Sequence, residues 1–266
     1  MAAPAPRHAV KPKTAGKPEN AELVKKISLK YPASQPYVFE GPFEIARRTG
    51  EDPKQVLAAG TIKLTGAPGG KYRLHLENSG KLPSDSFDMI SDGKTQWTYI
   101  PALNQYTEQA VQPLAAIPEG LADKSGKPGP RETIGYFSLQ LVPMLGTLAT
   151  IADKSFVTGP VLTVVAKKDQ NANQDLLYLT IDATTLAISK LAWIKAFPSK
   201  PEKMLVRLDL TCKELRSGEP IADSQFTFTP PANAKLVTSL PPEPPAADTP
   251  SAPADTPDVP KPDVPK

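Results

Sequence analysis

The feature that most constrains the fold is an alternation of apolar and polar side chains with a period of two residues. It is clearest in residues 72–77, where the sequence reads Tyr-Arg-Leu-His-Leu-Glu. Successive side chains of a β-strand point to opposite faces, so this pattern predicts a strand with one buried face. The glycine- and proline-rich segment 66–70 predicts a turn that joins this strand to a similar alternation in residues 61–65.

The same signals recur along most of the chain. Asp92-Gly93 lies between the alternating segments 87–91 and 95–100, and this arrangement predicts a β-hairpin. Further strands are predicted at residues 105–111, 155–167, 176–183, 187–197, 204–215 and 224–229. The short connections indicate a mainly antiparallel, strongly bent sheet of about ten strands.

Two segments have a helical period instead. Leu23, Ile27 and Tyr31 recur every four residues, and apolar residues in the segment 137–148 are spaced by three and four. Pro143 lies inside the second segment and predicts a kink or two short helices. Together the patterns predict a mainly β fold, a β-barrel or curled sheet with helices.

Of the 32 prolines, 14 lie in the 44 residues at the two ends of the chain. Residues 1–18 form a basic arm and residues 241–266 an acidic, proline-rich tail, both predicted to be disordered because they contain few apolar side chains. The domain is therefore expected at residues 19–240. No signal peptide is recognised in this chain, although its start, rich in alanine and proline, resembles the residues that follow a removed signal.

The formal net charge of +3 is carried largely by the basic arm, so the domain itself is close to neutral. Proteins that bind nucleic acid present a strongly basic surface, and nucleic acid is therefore not predicted as a partner.

Residues suited to catalysis are few. The two histidines are His8, in the arm, and His75, on the polar side of a predicted strand. Gly93-Lys94-Thr95 resembles the end of a phosphate-binding loop, but Asp88 stands where that loop requires glycine. Cys212 falls on the apolar side of an alternation and is predicted to be a buried thiol. We expect no enzyme activity, no cofactor and no metal site.

Two segments resemble the LolA superfamily of periplasmic lipoprotein carriers, which includes LolB-like and RseB-like proteins. Residues 91–101, Ser-Asp-Gly-Lys-Thr-Gln-Trp-Thr-Tyr-Ile-Pro, are similar to the central hairpin of the family. Residues 226–231, Phe-Thr-Phe-Thr-Pro-Pro, are similar to its last strand. The resemblance extends over about residues 20–240. It departs from the family at Ala67-Pro68, where the family has an arginine before the proline.

The resemblance implies an incomplete (unclosed) antiparallel β-barrel with helices that cover an apolar cavity on its concave side. It also implies lipid-binding residues on the sheet and on the covering helix. The sheet candidates are Tyr72, Leu74, Leu76, Met89, Trp97 and Tyr99. The helix candidates are Phe137, Leu141, Met144, Leu145 and Leu148. Which strand face points inward stays open, because a register shift of one residue reverses it.

The function that follows from the resemblance is a non-catalytic periplasmic carrier that holds acyl chains of lipoproteins or lipids in the cavity. The expected partners are those acyl chains and a membrane-associated donor or acceptor protein, with the carrier itself a monomer. The alternative is an RseB-like lipid sensor or a regulatory or adaptor domain that binds a protein partner.

Overall fold

The computed structural model describes residues 18–50, 53–79, 86–111, 130–167, 175–197, 204–238 and 240. Within these residues the chain forms three α-helices and one sheet of 13 strands. The predicted acidic tail and all but the last residue of the basic arm lie outside the described residues. Residues 112–129 and 168–174 lie outside them too.

The helices fall where the helical periods occur. They are α1 (Pro18–Lys30), α2 (Pro130–Gly146) and α3 (Leu148–Ile151). Pro143 is inside α2 without ending it, and the break predicted near that proline comes at Thr147, between α2 and α3. Among the described helices, none has both the length and the apolar character needed to cross a membrane.

The strands are joined mostly by short turns. They are β1 (Tyr37–Thr49), β2 (Gln55–Ala67), β3 (Lys71–Asn78), β4 (Phe87–Asp92), β5 (Thr95–Ile100), β6 (Gln105–Ala110), β7 (Ala152–Thr158), β8 (Val161–Ala166), β9 (Leu176–Ile181), β10 (Ile188–Phe197), β11 (Met204–Thr211), β12 (Glu214–Ser217) and β13 (Lys235–Leu236). Gly69 and Gly70 between β2 and β3, and Gly93 between β4 and β5, have positive φ, which glycine adopts without strain.

The strand order is β13-β6-β5-β4-β3-β2-β1-β11-β10-β9-β8-β7, with β12 paired to β1 beside this path. All pairs are antiparallel except β13 with β6. The two end strands of this order, β13 and β7, do not pair with each other among the described residues. The sheet is therefore unclosed, as predicted for the fold class.

The central strand β1 is the main element that the sequence patterns did not predict. Its buried residues alternate in the usual way through Phe39, Phe43 and Ile45, but Gly41 and Pro42 interrupt the apolar pattern. Gly41 is required by a close approach, because a Cβ there would lie 1.8 Å from the carbonyl oxygen of Thr211. β1 joins the two halves of the sheet by pairing with β2 on one side and β11 on the other.

Two predicted strands are each divided. The segment 155–167 contains the end of β7 and all of β8, with a turn at Gly159. The segment 204–215 contains β11 and the start of β12, because the chain leaves β10 near Cys212 and then pairs only with the first residues of β1.

The predicted strand at 224–229 is wrong. Residues 223–226 form a single 3-10 turn, and residues 227–231 have no ladder partner among the described strands. The segment instead crosses the sheet and ends in the short strand β13 beside β6. The Lys71 ammonium donates to the Asp223 carboxylate at 2.8 Å, and the Asn104 side-chain amide donates to the carbonyl of Ala232 at 3.3 Å.

Candidate functional site

One face of the sheet is apolar without interruption from β8 to β3. Partners in register across five strands are all apolar and buried: Leu162, Leu179, Leu191, Leu210 and Phe43. Residues on neighbouring strands that oppose each other point to the same side of a sheet. The side on which these residues lie is called the inner face below, and the opposite side the outer face.

The inner face continues through the first half of the chain. Phe39, Leu64, Leu74 and Met89 are successive partners on β1 to β4, and the first three are completely buried. Beyond β4 the inner face is mixed, because Thr98 on β5 opposes Met89 whereas Ile100, on the same face of β5, is completely buried. The apolar inner face therefore extends to β5 at Ile100.

Helix α2 lies on this apolar surface. A Cβ at Gly135 would lie 3.3 Å from the Sδ atom of Met89, so the helix approaches β4 closely at this point. At its other end, a Cβ at Gly146 would lie 2.2 Å from the backbone nitrogen of Ala33. The absence of a side chain at Gly135 and Gly146 thus lets α2 pack closely against β4 and against the chain that follows α1.

The structure brings most of the predicted lipid-binding residues together in one core. On the sheet these are Tyr72, Leu74 and Leu76, with Met89 half-buried against them. On α2 and α3 they are Leu141, Met144, Leu145 and Leu148. The backbone of Phe137 is part of α2, and its side chain lies outside the part of the chain that the structure describes.

Trp97 and Tyr99 do not join this group. The hairpin register pairs Trp97 with Ile90 and Tyr99 with Asp88, which alternate with the inner-face residue Met89. Both aromatic side chains therefore point to the outer face, and their grouping with the inner-face candidates is corrected here. A two-residue period fixes which residues share a face but not which face is covered, and the resemblance left that choice open.

On the outer face, Trp97 and Tyr99 contact the returning C-terminal segment. The ring of Phe228 lies 6.0 Å from that of Trp97, 6.1 Å from that of Tyr99 and 5.3 Å from that of Tyr106. The Tyr99 hydroxyl also donates to the side-chain oxygen of Asn104 at 3.1 Å. These contacts hold residues 226–231 against the hairpin, so the two segments that carry the family resemblance touch each other.

Sequence reasoning missed the inner-face residues of β1, and it named no site residue on β9 to β11. The signal for β1 is present, since Tyr37, Phe39, Phe43 and Ile45 all fall on odd positions. Their burial depends on partners more than 150 residues away, on β11, and no local pattern indicates that pairing.

Polar groups beneath α2 are scarce. The Ser138 side chain is 1% exposed, and its Oγ has no hydrogen-bond partner among the described residues. The Tyr72 hydroxyl donates to the Gln96 side-chain oxygen at 2.6 Å, and burial raises the pKa of Tyr72. Both hydroxyl groups are therefore neutral at physiological pH, and the surface beneath α2 carries no charge from them.

A short row of residues that includes two cations crosses one end of the inner face. Gln55, Arg47, Val206 and Lys195 are successive partners on β2, β1, β11 and β10, and Asp175 immediately precedes β9 beside Lys195. This set is called the rim row below. Lys195 Nζ lies 3.2 Å from the Asp175 carboxylate, and both side chains are 19% exposed.

The remaining titratable groups give little basis for catalysis. His75 lies on the outer face as predicted, and its hydrogen bond to Asp88 raises its pKa. Burial raises the pKa of the Cys212 thiol to about 12, so the thiol is protonated at neutral pH and is a poor nucleophile. Among the described residues, His, Cys, Asp and Glu form no group of three that could hold a metal ion.

Two shallow pockets lie away from α2. One, of about 570 Å³, is lined by residues of β1 and β8 to β11 that include Tyr178 and Arg207. The other, of about 610 Å³, is beside the end of α1 and is lined in part by Tyr31 and Cys212. None of the predicted lipid-binding residues lines either pocket. Helix α2 covers the apolar inner face at β1 to β4, where the candidate residues belong to one buried core.

No known family model matches this sequence, and no curated protein is similar to it. Solved structures are similar at the level of the coordinates. An uncharacterised conserved protein from Thermus thermophilus has 12% sequence identity and a TM-score of 0.40, with 82% of this chain and 98% of that chain covered.

Two further solved structures are similar to a comparable degree. A Vibrio parahaemolyticus domain described as a putative outer membrane lipoprotein-sorting protein domain has 12% identity and a TM-score of 0.33, with 78% of this chain and 94% of that chain covered. The Pseudomonas aeruginosa MucA/MucB complex has 13% identity and a TM-score of 0.34, with 79% of this chain and 61% of that chain covered.

Proposed function

We propose that this protein binds acyl chains of lipids or lipoproteins on the inner face of its sheet, between the sheet and α2, without catalysing a reaction. The observation that carries the proposal is the nature of the contact between α2 and the sheet. Both sides contribute aliphatic side chains to one buried core, for example Leu74 from the sheet and Leu145 from α2, and such side chains have no directional preference. An acyl chain offers the same chemistry and can replace these contacts.

The energetics favour such an exchange. Burial of a methylene group contributes about 0.8 kcal/mol, so a long acyl chain offsets the apolar contacts that α2 loses when it lifts. The buried Oγ of Ser138 lowers the stability of the closed state by about 1–3 kcal/mol because it has no partner there. Pro143 removes one backbone hydrogen bond from α2. These features reduce the free energy needed to move the helix.

The role that fits this site is a periplasmic carrier or binding protein for acylated molecules. The resemblance of residues 91–101 and 226–231 to the LolA superfamily supports this role, and so does the unclosed sheet with helices on one face. The resemblance implies that an arginine just before Pro68 helps to latch the covering helix, and Ala67 stands there instead. Closure in this chain then depends on the apolar contacts of α2.

The experiment that tests the proposal locks α2 to the sheet. Gly135→Cys and Met89→Cys, in a Cys212→Ala background, place two thiols at the closest approach of α2 to β4. We expect the reduced variant to bind a fluorescent fatty acid and the cross-linked variant, joined directly or by a short bifunctional reagent, to lose binding. Each single-cysteine variant under the same oxidant is the matched control. Equal binding by the locked and the reduced forms would contradict the proposal.

A second candidate function, an RseB-like sensor, is favoured by the closely packed inner face. A resting state in which α2 fills the site suits a protein that changes conformation when lipid arrives. A pull-down supports the sensor if the reduced variant, in which α2 can move, recovers one protein partner in a 1:1 ratio and the cross-linked variant recovers none. Recovery of lipid without such a partner would support the carrier.

A further inference from the structure

The rim row places two cations at the margin of an otherwise apolar surface. Along β1, Arg47 shares a face with the buried Ile45, and along β10, Lys195 shares a face with the buried Trp193. Val206, which is buried, lies between the two cations on β11. Neighbouring strands are about 4.8 Å apart, so the Cα atoms of Arg47 and Lys195 are separated by roughly 10 Å.

The one carboxylate of the rim row is already bonded. Asp175 accepts a hydrogen bond from Trp193 Nε1 at 2.9 Å and lies within 3.3 Å of Lys195 Nζ through both oxygens. Arg47, by contrast, donates to the neutral side-chain oxygen of Gln55 at 2.5 Å and forms no ion pair with a described residue. The rim row therefore has one positive charge in excess.

A positive charge at this position is costly for the protein alone. Charged groups that are partly removed from water lose hydration, and a neutral amide compensates a guanidinium less well than a carboxylate does. The row lies where β1 ends at Thr49 and β11 begins at Met204, so it borders the apolar inner face at one end of the sheet. A molecule whose acyl chain lies on the inner face would bring its polar end to this margin.

We propose that Arg47 and Lys195 bind the anionic headgroup of the lipid whose acyl chain occupies the inner face, an inference that rests on the function proposed above. The ligand chemistry is a single negative charge on oxygen, either a carboxylate or a phosphate diester. The guanidinium supplies several donors in one plane, and the ammonium exchanges part of its contact with Asp175 for the ligand.

The test compares lipids that share acyl chains and differ in charge. A fluorescent fatty acid is compared with its methyl ester, which tests the carboxylate. Phosphatidylglycerol is compared with diacylglycerol of the same chains, both as competitors of the bound fluorescent ester, which tests the phosphate. We expect at least one anion to bind the unmodified protein about tenfold more tightly than its neutral counterpart, as expected for a charge-assisted hydrogen bond.

The variant that tests the site combines Arg47→Gln with Lys195→Gln. We expect it to lose about tenfold or more in affinity for the preferred anion and to bind the neutral lipids within about twofold of the unmodified protein. The matched control combines Arg48→Gln with Lys190→Gln. These residues are on the same two strands, are exposed and point to the outer face, so the control should keep both affinities.

A further variant separates recognition from stability. Asp175→Asn keeps an oxygen for Trp193 Nε1 but removes the carboxylate beside Lys195, so affinity for the anion should rise severalfold even if the protein unfolds at a lower temperature. If the ion pair between Lys195 and Asp175 has only a structural role, affinity for the anion should not rise in this variant. Equal losses for anionic and neutral lipids in the Arg47 and Lys195 variant, or no preference for either anion in the unmodified protein, would overturn the headgroup site while leaving the proposed function standing. Failure to bind any of the four lipids would instead overturn the proposed function and this inference with it.

Discussion

The inner and outer faces of the β4–β5 hairpin both bury apolar side chains, but different kinds of contact cover them. On the inner face, aliphatic residues such as Leu74 belong to the same buried core as Leu141 and Leu145 of α2. On the outer face, the rings of Trp97 and Tyr99 hold Phe228, and Tyr99 is hydrogen-bonded to Asn104. Contacts between aliphatic groups can be replaced by any apolar chain of similar size, whereas the aromatic and hydrogen-bonded contacts depend on one partner.

The two faces of this sheet therefore have separate roles. The C-terminal segment fixes the outer face and stabilises the fold. The inner face is covered by α2, which has glycine at two points of close approach. On this face a lipid can replace the contacts of the helix. Substitutions on one face at a time, with both stability and lipid affinity measured, test whether the roles are separate.

The largest expected effect comes from Phe226→Ala on the outer face. Phe226, at the start of the C-terminal segment, is 1% exposed, so the removal of its side chain should reduce the free energy of unfolding by about 3–5 kcal/mol. Affinity for a fluorescent fatty acid, measured on the folded protein, should not change. Urea unfolding and fluorescence titration provide the two values, and a parallel loss of affinity would show that the faces are coupled.

On the inner face, Leu139→Ala in α2 should lower stability by about 2–5 kcal/mol, because the Leu139 side chain is buried against the sheet. Here fatty-acid affinity should increase severalfold, since the closed helix competes with the ligand and is now weaker. Weaker binding in a variant that still folds would contradict the exchange of α2 for lipid.

A smaller and opposite effect is expected for Ser138→Ala. The change removes a buried hydroxyl that has no partner and introduces a better helix former, so stability should rise by about 1 kcal/mol. The closed helix becomes more stable, and fatty-acid binding should weaken by about fivefold. Isothermal titration at one temperature, with Ser34→Ala at an exposed turn position as the control, tests this.

The smallest effect concerns pH on the outer face. The hydrogen bond to Asp88 raises the folded-state pKa of His75 above its unfolded value near 6.5. The stabilisation is therefore fully present below about pH 6.5 and is lost as the pH rises through the higher folded-state pKa. Because His75 is half exposed, the change should be at most about 1 kcal/mol. Urea midpoints across this range should fall in the unmodified protein and stay constant in His75→Gln, with lipid affinity unaffected.

Much of the fold could be predicted from local patterns. The alternation in β3 and the Asp92-Gly93 turn determine a strand and a hairpin because a two-residue period and a turn with positive φ leave few other conformations. The helical spacing of Leu23, Ile27 and Tyr31 likewise determines α1, although the period does not say what the helix covers.

Elements that depend on distant partners could not be predicted in the same way. β1 is interrupted by Gly41 and Pro42, and its pairing with β11 lies beyond the range of any local pattern. The separation of β12 from β11 follows from a change of partner near Cys212, which the continuous alternation of the sequence conceals.

For the site, the sequence alone determined which residues share a face, because successive side chains of a strand must alternate. It placed Leu74 and Leu76 together, and the helical period placed Leu141 and Leu145 together. Only the tertiary structure decided which face α2 covers and which face the segment around Phe228 covers. Trp97 and Tyr99 are the largest side chains of their hairpin, yet they lie outside, because burial is set by the segment that packs over a face and not by the size of the residues on it.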